Sequence, residues 1–335
     1  MSTIDGNSTP HASPGNGVAN QAGSFSSFKP SLTCSDQLNL MVSRGLRVND
    51  RYEALQRLSE LNYYRLRGYW LAFEKDDAFI EGTTFEDITD VYDLDSKFRR
   101  WVWAALEPIE IKARTTLAQH LSMTYGPLAH LNRGLFNNAS MHAESINNVR
   151  REIEQARKNK VPCVLHNLKK YGELPIWAAV EIMSLGTVSK LYGNLSNTAV
   201  NKNGTTVAKA IAEEFGLKPH ALKSWLRHLT YVRNICGHHS RLYNRVMTNR
   251  PTLLKADKPY ASNKQFPTLL VLMRIYQNSW PEKWNEMVNE LDRIMSGHDA
   301  ALRSMGFPDN WKQVLTSSRS NRSGKSNVRC SHAPA

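Results

Sequence analysis

The sequence has few cysteines, no long apolar run and fewer acidic than basic residues. Its four cysteines lie too far apart along the chain for a paired zinc knuckle, and they suggest no disulfide framework, so we expect reduced thiols. No stretch approaches the roughly 18 uninterrupted apolar residues of a membrane span. These absences exclude small disulfide-stapled proteins and helical membrane proteins. The cysteines are Cys34, Cys163, Cys236 and Cys330.

The two ends of the chain lack the large apolar side chains that a core requires. The first basic residue is Lys29, so the chain start has neither the charged nor the apolar part of a secretory signal, and we expect a cytoplasmic protein. Residues 1–28 are mostly Ser, Gly, Asn and Pro, which predicts a disordered N-terminal segment. Residues 316–335 contain no acid and four basic residues, which predicts a basic disordered tail.

Acidic residues are outnumbered over the whole chain. There are 43 Lys and Arg against 30 Asp and Glu, a formal net charge of +13 in 335 residues. The size predicts a soluble globular protein with a substantial core. The excess of positive charge favours an anionic partner, although many basic proteins carry such charge for solubility alone.

Between the two ends, apolar residues recur every three or four positions, and alternating strand patterns are hard to find. This spacing is typical of amphipathic helices and predicts an all-α fold, in which Pro108 should kink the helix that spans about 85–122. Further helical periodicity covers about 36–71, 142–158, 175–194, 205–215, 218–246 and 266–295.

One segment has no acidic residue at all. From Phe215 to Ala256 the chain has eight Lys and Arg and four His but no Asp or Glu. A surface that binds phosphates has reason to exclude carboxylates, because an acid there would repel the ligand. The segment therefore favours RNA or DNA binding, and it argues against a carboxylate-supported metal site within it. Its histidines are His220, His228, His238 and His239.

Within this segment the helical spacing predicts two stripes. Asn234, His238, Arg241 and Arg245 are four, three and four residues apart, so they would share one polar face. Arg233 and His238 are five residues apart, about 140° around a helix, and converge only if the helix begins or distorts nearby, which Gly237 would ease. The apolar stripe consists of Leu222, Trp225 or Leu226, Leu229, Val232 and Cys236.

The segment 233–245, RNICGHHSRLYNR, resembles the signature of the Abi-like family, abortive-infection phage-resistance proteins of the AbiD/AbiF kind within the HEPN superfamily of helical ribonucleases. Three further stretches agree in order with this family. They are LNYYRLRGYW at 61–70, the Tyr92–Arg114 helix with its internal Glu and Arg, and the block that runs from Leu174 through Gly186 to Tyr192.

The resemblance implies a bacterial defence toxin that cleaves RNA without a metal or other cofactor. Histidine titrates near neutrality, which suits His238 to proton transfer at the ribose 2′-OH, and the fork of Arg233 suits the developing charge on phosphate. Asn234 would orient the histidine or the phosphate. We further expect neighbouring basic residues to contact the RNA. These are His239, Arg241, Arg245 and Arg227.

The resemblance also implies a HEPN-like helical bundle and a homodimer, because a two-fold dimer brings two copies of the motif to one composite active site. RNA is expected as the substrate and as a possible inhibitor of the toxin, with no membrane partner. The predicted organisation is a 29–82 N-terminal helical part, an 83–250 HEPN-like core and a 251–315 C-terminal helical extension, between the two disordered ends.

Other interpretations remain open from the sequence. The histidines could be structural, and the protein could be a non-catalytic RNA-binding module or, with less support, a helical DNA-binding regulator. Glu107, Glu110 and Arg114 could pair within their helix, brace the motif helix or contribute to the site. Gly237 stands where the family is expected to have alanine, a small-for-small exchange that should be tolerated. The aromatic cluster of Tyr63, Tyr64, Tyr69 and Trp70 is either core or a platform for stacking bases.

Overall fold

The protein is all-α, as its sequence predicts. A computed structural model describes residues 30–317, and within these residues the regular structure is fourteen α-helices, three short 3-10 segments and one two-stranded hairpin. The predicted disordered segment 1–28 lies outside the described residues, as does nearly all of the predicted tail 316–335.

The helices are α1 (Cys34–Ser43), α2 (Arg51–Glu60), α3 (Tyr63–Trp70), α4 (Phe85–Tyr125), α5 (Ala139–Lys158), α6 (Pro162–Tyr171), α7 (Ile176–Ile182), α8 (Leu185–Gly193), α9 (Val207–Glu214), α10 (Pro219–Gly237), α11 (Phe266–Ser279), α12 (Pro281–Met295), α13 (Asp299–Ser304) and α14 (Trp311–Thr316). The antiparallel hairpin pairs β1 (Glu74–Lys75) with β2 (Ala78–Phe79).

Helix α4 is the 41-residue axis of the fold. It begins with a capping box, in which the Thr84 side chain accepts from the backbone of Asp87 while the Asp87 carboxylate accepts from the backbone of Thr84. Pro108 lies inside the helix, which continues to Tyr125. The predicted helix over 85–122 is therefore confirmed, with three more residues at its end.

Most other helices pack directly on α4, including α3, α7, α8, α9, α10 and α12. The core between them contains fully buried aromatics, among them Trp225 and Trp284. Each indole N–H donates to a backbone carbonyl, from Trp225 to Thr252 and from Trp284 to Leu315, both at 2.7 Å. Burial of these two rings therefore leaves no unpaired indole donor, and the roughly 200 Å² that each removes from water stabilises the fold.

Several long periodic stretches of the sequence divide into separate helices. The stretch 36–71 forms α1, α2 and α3, because Asp50 and Asn62 each cap the start of a new helix with a side-chain oxygen. The stretch 175–194 divides into α7 and α8 at Ser184, whose hydroxyl accepts from Thr187 N. Capping overrides apolar spacing at these positions, since an N-cap residue is non-helical.

Helix α8 packs closely on α10. A Cβ added to Gly186 would lie 3.5 Å from the Thr230 methyl, and one added to Gly193 would lie 3.4 Å from the Lys223 side chain. The two glycines thus allow this close approach. The buried hydroxyl of Tyr192 donates to the carbonyl of Ala208. The third block of the family resemblance therefore supports α10, the helix that leads to the candidate site.

Candidate functional site

Helix α10 ends in the middle of the motif. His239 N–H donates to Cys236 O at 3.0 Å and Ser240 N–H donates to Ile235 O at 2.9 Å, the two bonds of a Schellman motif. His239 takes the left-handed conformation that this cap requires, with φ of 53°. The prediction of one helix over 218–246 is therefore wrong beyond Gly237. The helix ends at Gly237, between Arg233 and His238. This is a distortion of the kind that the two side chains need in order to converge from positions five residues apart.

The chain then returns along α10 as an irregular segment, residues 240–252, which we term the strap. Arg245 Nε donates to the Tyr231 hydroxyl (3.2 Å), and the Asn249 side chain donates to the carbonyl of Arg227 (3.2 Å). Later residues of the strap thus contact earlier residues of α10. Arg241 and Arg245 lie on the strap, so they do not share a helical face with Asn234 and His238. That part of the predicted polar stripe is wrong, because the Schellman cap reverses the chain.

The predicted apolar stripe of α10 is confirmed. Leu222, Leu229 and Val232 are fully buried, as are both of the alternatives Trp225 and Leu226 and the thiol-bearing Cys236. Burial raises the pKa of Cys236 to about 12, so its thiol stays protonated and serves as packing.

Helix α3 contacts the turn after α10. Arg65 Nη1 donates to the carbonyl of His239 at 2.6 Å. The side chain of Arg241 lies over Gly68, where an added Cβ would be 3.3 Å from its Cδ and Nε. The 61–70 stretch therefore supports the motif directly, although 174 residues separate Arg65 from His239 in sequence.

A buried carboxylate fastens the strap to α4. Asp95 accepts from the backbone N–H of Tyr243 at 2.7 Å and of Leu242 at 3.2 Å, from the Tyr69 hydroxyl at 2.7 Å, and from Arg99. Burial, together with the charge of Asp95, raises the pKa of Tyr69, so the phenol stays protonated and donates. This anchor is not predicted from the sequence, where its only signal is an acid four residues before an arginine on a predicted helix.

Arg233 is held from α4. Its Nε is buried 3.4 Å from Oε2 of Glu110, and its guanidinium lies 4.9 Å from the centre of the Trp103 ring. The other oxygen of Glu110 accepts from Arg114 one turn along α4. Glu110 therefore both pairs within its helix and braces the motif helix, two of the roles considered for it. One-third of the Arg233 side chain remains exposed for a ligand.

Trp103 separates two clefts beside the motif. One, of about 280 Å³, is lined by Arg233, Glu110 and Glu107 among others. The other, of about 410 Å³, is lined by Arg100, Gly237 and His239 among others. His239 therefore lies with α4 residues that sequence reasoning did not select. Arg100 and Trp103 lie within the Tyr92–Arg114 helix of the family resemblance, which was the available signal.

His238 and Asn234 are both exposed at the end of α10. His238 caps the helix with its backbone N–H, which donates to Asn234 O at 3.0 Å. Among the described residues, no side chain forms a hydrogen bond with the His238 ring. Arg233 and Asn234 thus lie near the end of α10 and His238 and His239 in its cap, and the imidazole of His238 is exposed to a ligand.

Gly237 is more constrained than its size suggests. A Cβ at this position would lie 2.9 Å from Cζ3 and 3.3 Å from Cη2 of Trp103. The alanine expected in the family at this position would require the half-exposed Trp103 indole to move, whereas the glycine present here has no Cβ to contact that ring. That movement would also disturb the contact between Trp103 and Arg233.

The other basic residues of the acid-free segment do not line the clefts at Trp103. Arg227 is exposed near the middle of α10, away from the clefts at Trp103, while His220 is exposed at the start of the helix. His228 is buried, and its nitrogens bond to Asn249 O (2.6 Å) and Thr268 Oγ1 (2.9 Å). Burial lowers the pKa of His228 to about 4, so it is neutral at pH 7 and its role is structural.

The aromatic cluster of α3 divides between the core and the surface. Tyr69 and Trp70 are fully buried and belong to the core, and Tyr63 is half-buried with its ring 5.0 Å from that of Trp70. Tyr64 is 74% exposed. Only Tyr64 is therefore available as a platform for stacking.

The described residues contain neither a cluster of metal-binding side chains nor a helix that could span a membrane. Over residues 30–317, no three side chains of His, Cys, Asp and Glu are grouped closely enough to hold a metal ion. None of the helices in the same range combines the length and apolarity that crossing a bilayer requires.

The fold and site define an all-α protein in which four separated sequence blocks meet around a basic helix end. A family model described as Abi-like protein matches residues 56–244, which span α3, α4, α10 and the beginning of the strap. The chain belongs to the Abi-like protein family. Membership supports a role in abortive infection, a form of defence against phage. No curated protein and no solved structure matches the chain.

Proposed function

We propose that the protein is a metal-independent HEPN endoribonuclease that acts as a toxin in abortive-infection defence. The observation that supports this best is the exposed His238 imidazole five residues beyond Arg233, in a stretch of chain from Phe215 to Ala256 without a carboxylate. An imidazole without a side-chain partner suits proton transfer near neutrality, and the guanidinium of a side chain that is one-third exposed suits phosphate.

In the proposed reaction, His238 takes the proton of a ribose 2′-OH. The 2′ oxygen forms a bond to the adjacent phosphorus, the bond from phosphorus to the 5′ oxygen breaks, and the leaving oxygen takes a proton from an acid. The products are a 2′,3′-cyclic phosphate and a 5′-OH, so that no oxidant and no second substrate is required. Asn234, four residues before His238, orients the imidazole or the phosphate.

Arg233 stabilises the charge that develops on the phosphate. Its Nε faces Glu110 while the side chain keeps one-third of its surface exposed, so its terminal nitrogens remain for the ligand. Fixing one edge of the guanidinium in advance reduces the cost of ordering it during the reaction. Glu110 and Trp103 are therefore positioning residues in this proposal.

In this proposal, the His238 that acts as the base does not also supply the acid that protonates the leaving group. We propose that the chain forms a homodimer in which the second copy of His238 supplies it at a composite site. His239, Arg241 and Arg245 then contact the RNA beside this site. The backbone carbonyl of His239 accepts a hydrogen bond from Arg65, and His239 lines the cleft that Arg100 lines, whereas Arg233 lines the other cleft beside Trp103.

A second candidate function is a non-catalytic RNA-binding module. The observation that favours it is the His238 ring itself, which has no hydrogen-bond partner among the described side chains, whereas a catalytic base is usually oriented by one. In this alternative the same cations hold a structured RNA, and no bond in it is broken.

Cleavage of total cellular RNA in EDTA by the wild type and by His238→Ala distinguishes the two functions. We expect the wild type to produce fragments that end in 2′,3′-cyclic phosphate and His238→Ala to lose at least 100-fold in rate while it still binds RNA. His220→Ala is the matched control, because it removes an exposed histidine from the other end of the same helix. RNA binding without cleavage by the wild type would support the binding module. Equal cleavage by His238→Ala and wild type would remove His238 from the mechanism.

A further inference from the structure

A third cleft opens where the strap meets the middle of α10. It has a volume of about 730 Å³, and three cations line it from three different parts of the chain. Arg227 belongs to α10, Arg250 to the strap, and Lys258 to the 3-10 segment Lys255–Tyr260. We term it the distal cleft.

The charge of the distal cleft is not neutralised by its own walls. Its lining residues include no acid, and the side chains beside the cations are neutral, among them those of Thr248, Asn249 and Ser262. Asp257 is next to Lys258 in the chain, but its carboxylate is buried and accepts two hydrogen bonds from Arg274. The cleft therefore presents net positive charge and polar groups, which together suit a phosphate-bearing ligand.

The cleft lies in line with the candidate active site. Arg227 and Asn234 are seven residues apart and share one face of α10, and His238 follows as the C-cap residue at the end of the helix. The strap runs beside this face and adds Arg241 and Arg245 between the two ends, with Arg245 fixed by the Tyr231 hydroxyl. Cations thus continue from His238 to the distal cleft without an intervening acid on the helix or the strap.

The length of this face sets the distance between the two sites. Eleven residues separate Arg227 from His238, or about 16 Å of helix at 1.5 Å per residue. A stacked nucleic-acid strand advances ~3.4 Å per nucleotide, so this distance corresponds to about five nucleotides. A strand that enters the distal cleft can therefore reach His238 while its backbone follows the arginines of the strap.

We infer that the distal cleft binds the sugar–phosphate backbone of an RNA strand about five nucleotides from the phosphate that is cleaved at His238. The inference rests on the proposed function for the identity of the ligand, but the cleft and its charge are independent of catalysis. Arg250 and Lys258 are binding residues here, and they select substrates long enough to span both sites.

The binding test uses a 12-nucleotide RNA that carries 2′-O-methyl groups throughout, because this RNA cannot be cleaved by attack of a 2′-OH. Its affinity for the wild type and for Arg250→Ser/Lys258→Ser is measured over a range of salt concentrations. For single-stranded RNA, the slope of log K against log salt concentration is about −0.7 per phosphate contact. Loss of two contacts should therefore make this slope less negative by about 1.4. The same relation predicts about tenfold weaker binding at 0.15 M salt.

The matched control is Arg150→Ser/Lys169→Ser, which removes the same two charges from exposed positions on α5 and α6. We expect it to bind nearly as the wild type does. If both double variants lose the same affinity, or if neither does, the distal cleft does not bind RNA. Circular dichroism of each variant shows whether its helices are intact.

A cleavage arm separates this inference from the proposed function. With unmodified RNA, the cleft variant should lose about tenfold in kcat/KM on a 12-nucleotide substrate and keep its rate on a four-nucleotide one, which is too short to span both sites. Tighter binding by the wild type than by the cleft variant, without cleavage by either, would overturn the proposed ribonuclease and leave the cleft inference standing. A wild type that does not bind the 12-nucleotide RNA overturns the inference.

Discussion

His239 has a left-handed backbone, which costs an L-residue roughly 1–2 kcal/mol relative to its ordinary conformations. Glycine adopts this conformation freely and is the usual residue at this position of a Schellman motif. We therefore expect His239→Gly to increase the free energy of unfolding by up to about 1 kcal/mol, measured by urea denaturation. The gain stays below the full strain because glycine also gives the unfolded chain more freedom.

The matched control is His239→Ala, which removes the same imidazole and leaves the backbone in a conformation that alanine adopts poorly. It should be less stable than His239→Gly by about 1 kcal/mol. If the two variants are equally stable, the left-handed turn does not persist in solution. Because His239→Gly is not expected to weaken the fold, any loss of RNA binding in it reports on the imidazole itself.

Among the elements, the beginning of the strap is fastened to α4 by one buried carboxylate, that of Asp95. Asp95→Asn removes the charge that compensates Arg99 and weakens acceptance from Leu242 and Tyr243. Breaking a buried ion pair on one side typically costs about 3–5 kcal/mol, so we expect a decrease of that size in the free energy of unfolding. Urea denaturation measures it.

Asp93→Asn provides the comparison on the same helix, because Asp93 pairs with Arg57 at the surface. An exposed pair contributes at most about 1 kcal/mol. Similar losses in Asp93→Asn and Asp95→Asn would contradict the role given to Asp95. The strap residues around Leu242 should also exchange their amide hydrogens faster in Asp95→Asn than in Asp93→Asn, since only the former loses the anchor.

The sequence predicts the helices of this protein better than its connections. The apolar spacing of α4 and α10 indicates both helices because burial on a helix repeats every three or four residues. The same spacing continues past Gly237 into Leu242 and Val246, so periodicity alone could not place the end of α10. That end depends on contacts with Asp95 and Arg65, which are distant in sequence.

The same limit applies to the candidate site. Arg233 and His238 can be selected from the sequence because their residue types suit the chemistry. Their neighbours Trp103 and Glu110 belong to another helix, and no local pattern links an acid at 110 to an arginine at 233. The family resemblance names both helices, but only their packing shows which side chains meet.

At the scale of the whole molecule, two buried histidines make stability depend on pH. Burial lowers the pKa of both His130 and His228 to about 4 in the folded protein, against about 6.5 in the unfolded chain. Between these values the unfolded chain binds more protons, so the free energy of unfolding falls as the pH falls. From pH 7.5 to pH 5, each histidine should contribute a loss of about 2 kcal/mol.

Urea denaturation at the two pH values measures this loss in the wild type, in His228→Gln and in His220→Gln. His228→Gln should lose about 2 kcal/mol less than the wild type over this range, whatever its stability at pH 7.5. His220 is exposed, so its variant should lose as much as the wild type does. If His228→Gln loses as much stability as the wild type does, the His228 ring of the wild type takes up a proton while the protein remains folded.

Because α4 is one continuous helix, the number of residues between two positions on it sets the distance between them. Asp95, which holds the strap, and Glu110, which holds Arg233, are fifteen residues apart on one continuous helix, about 22 Å along its axis. One inserted residue between them would rotate one anchor by about 100° relative to the other and shift it by 1.5 Å. Relatives that keep both anchors should therefore differ in length in their loops and not between these two positions.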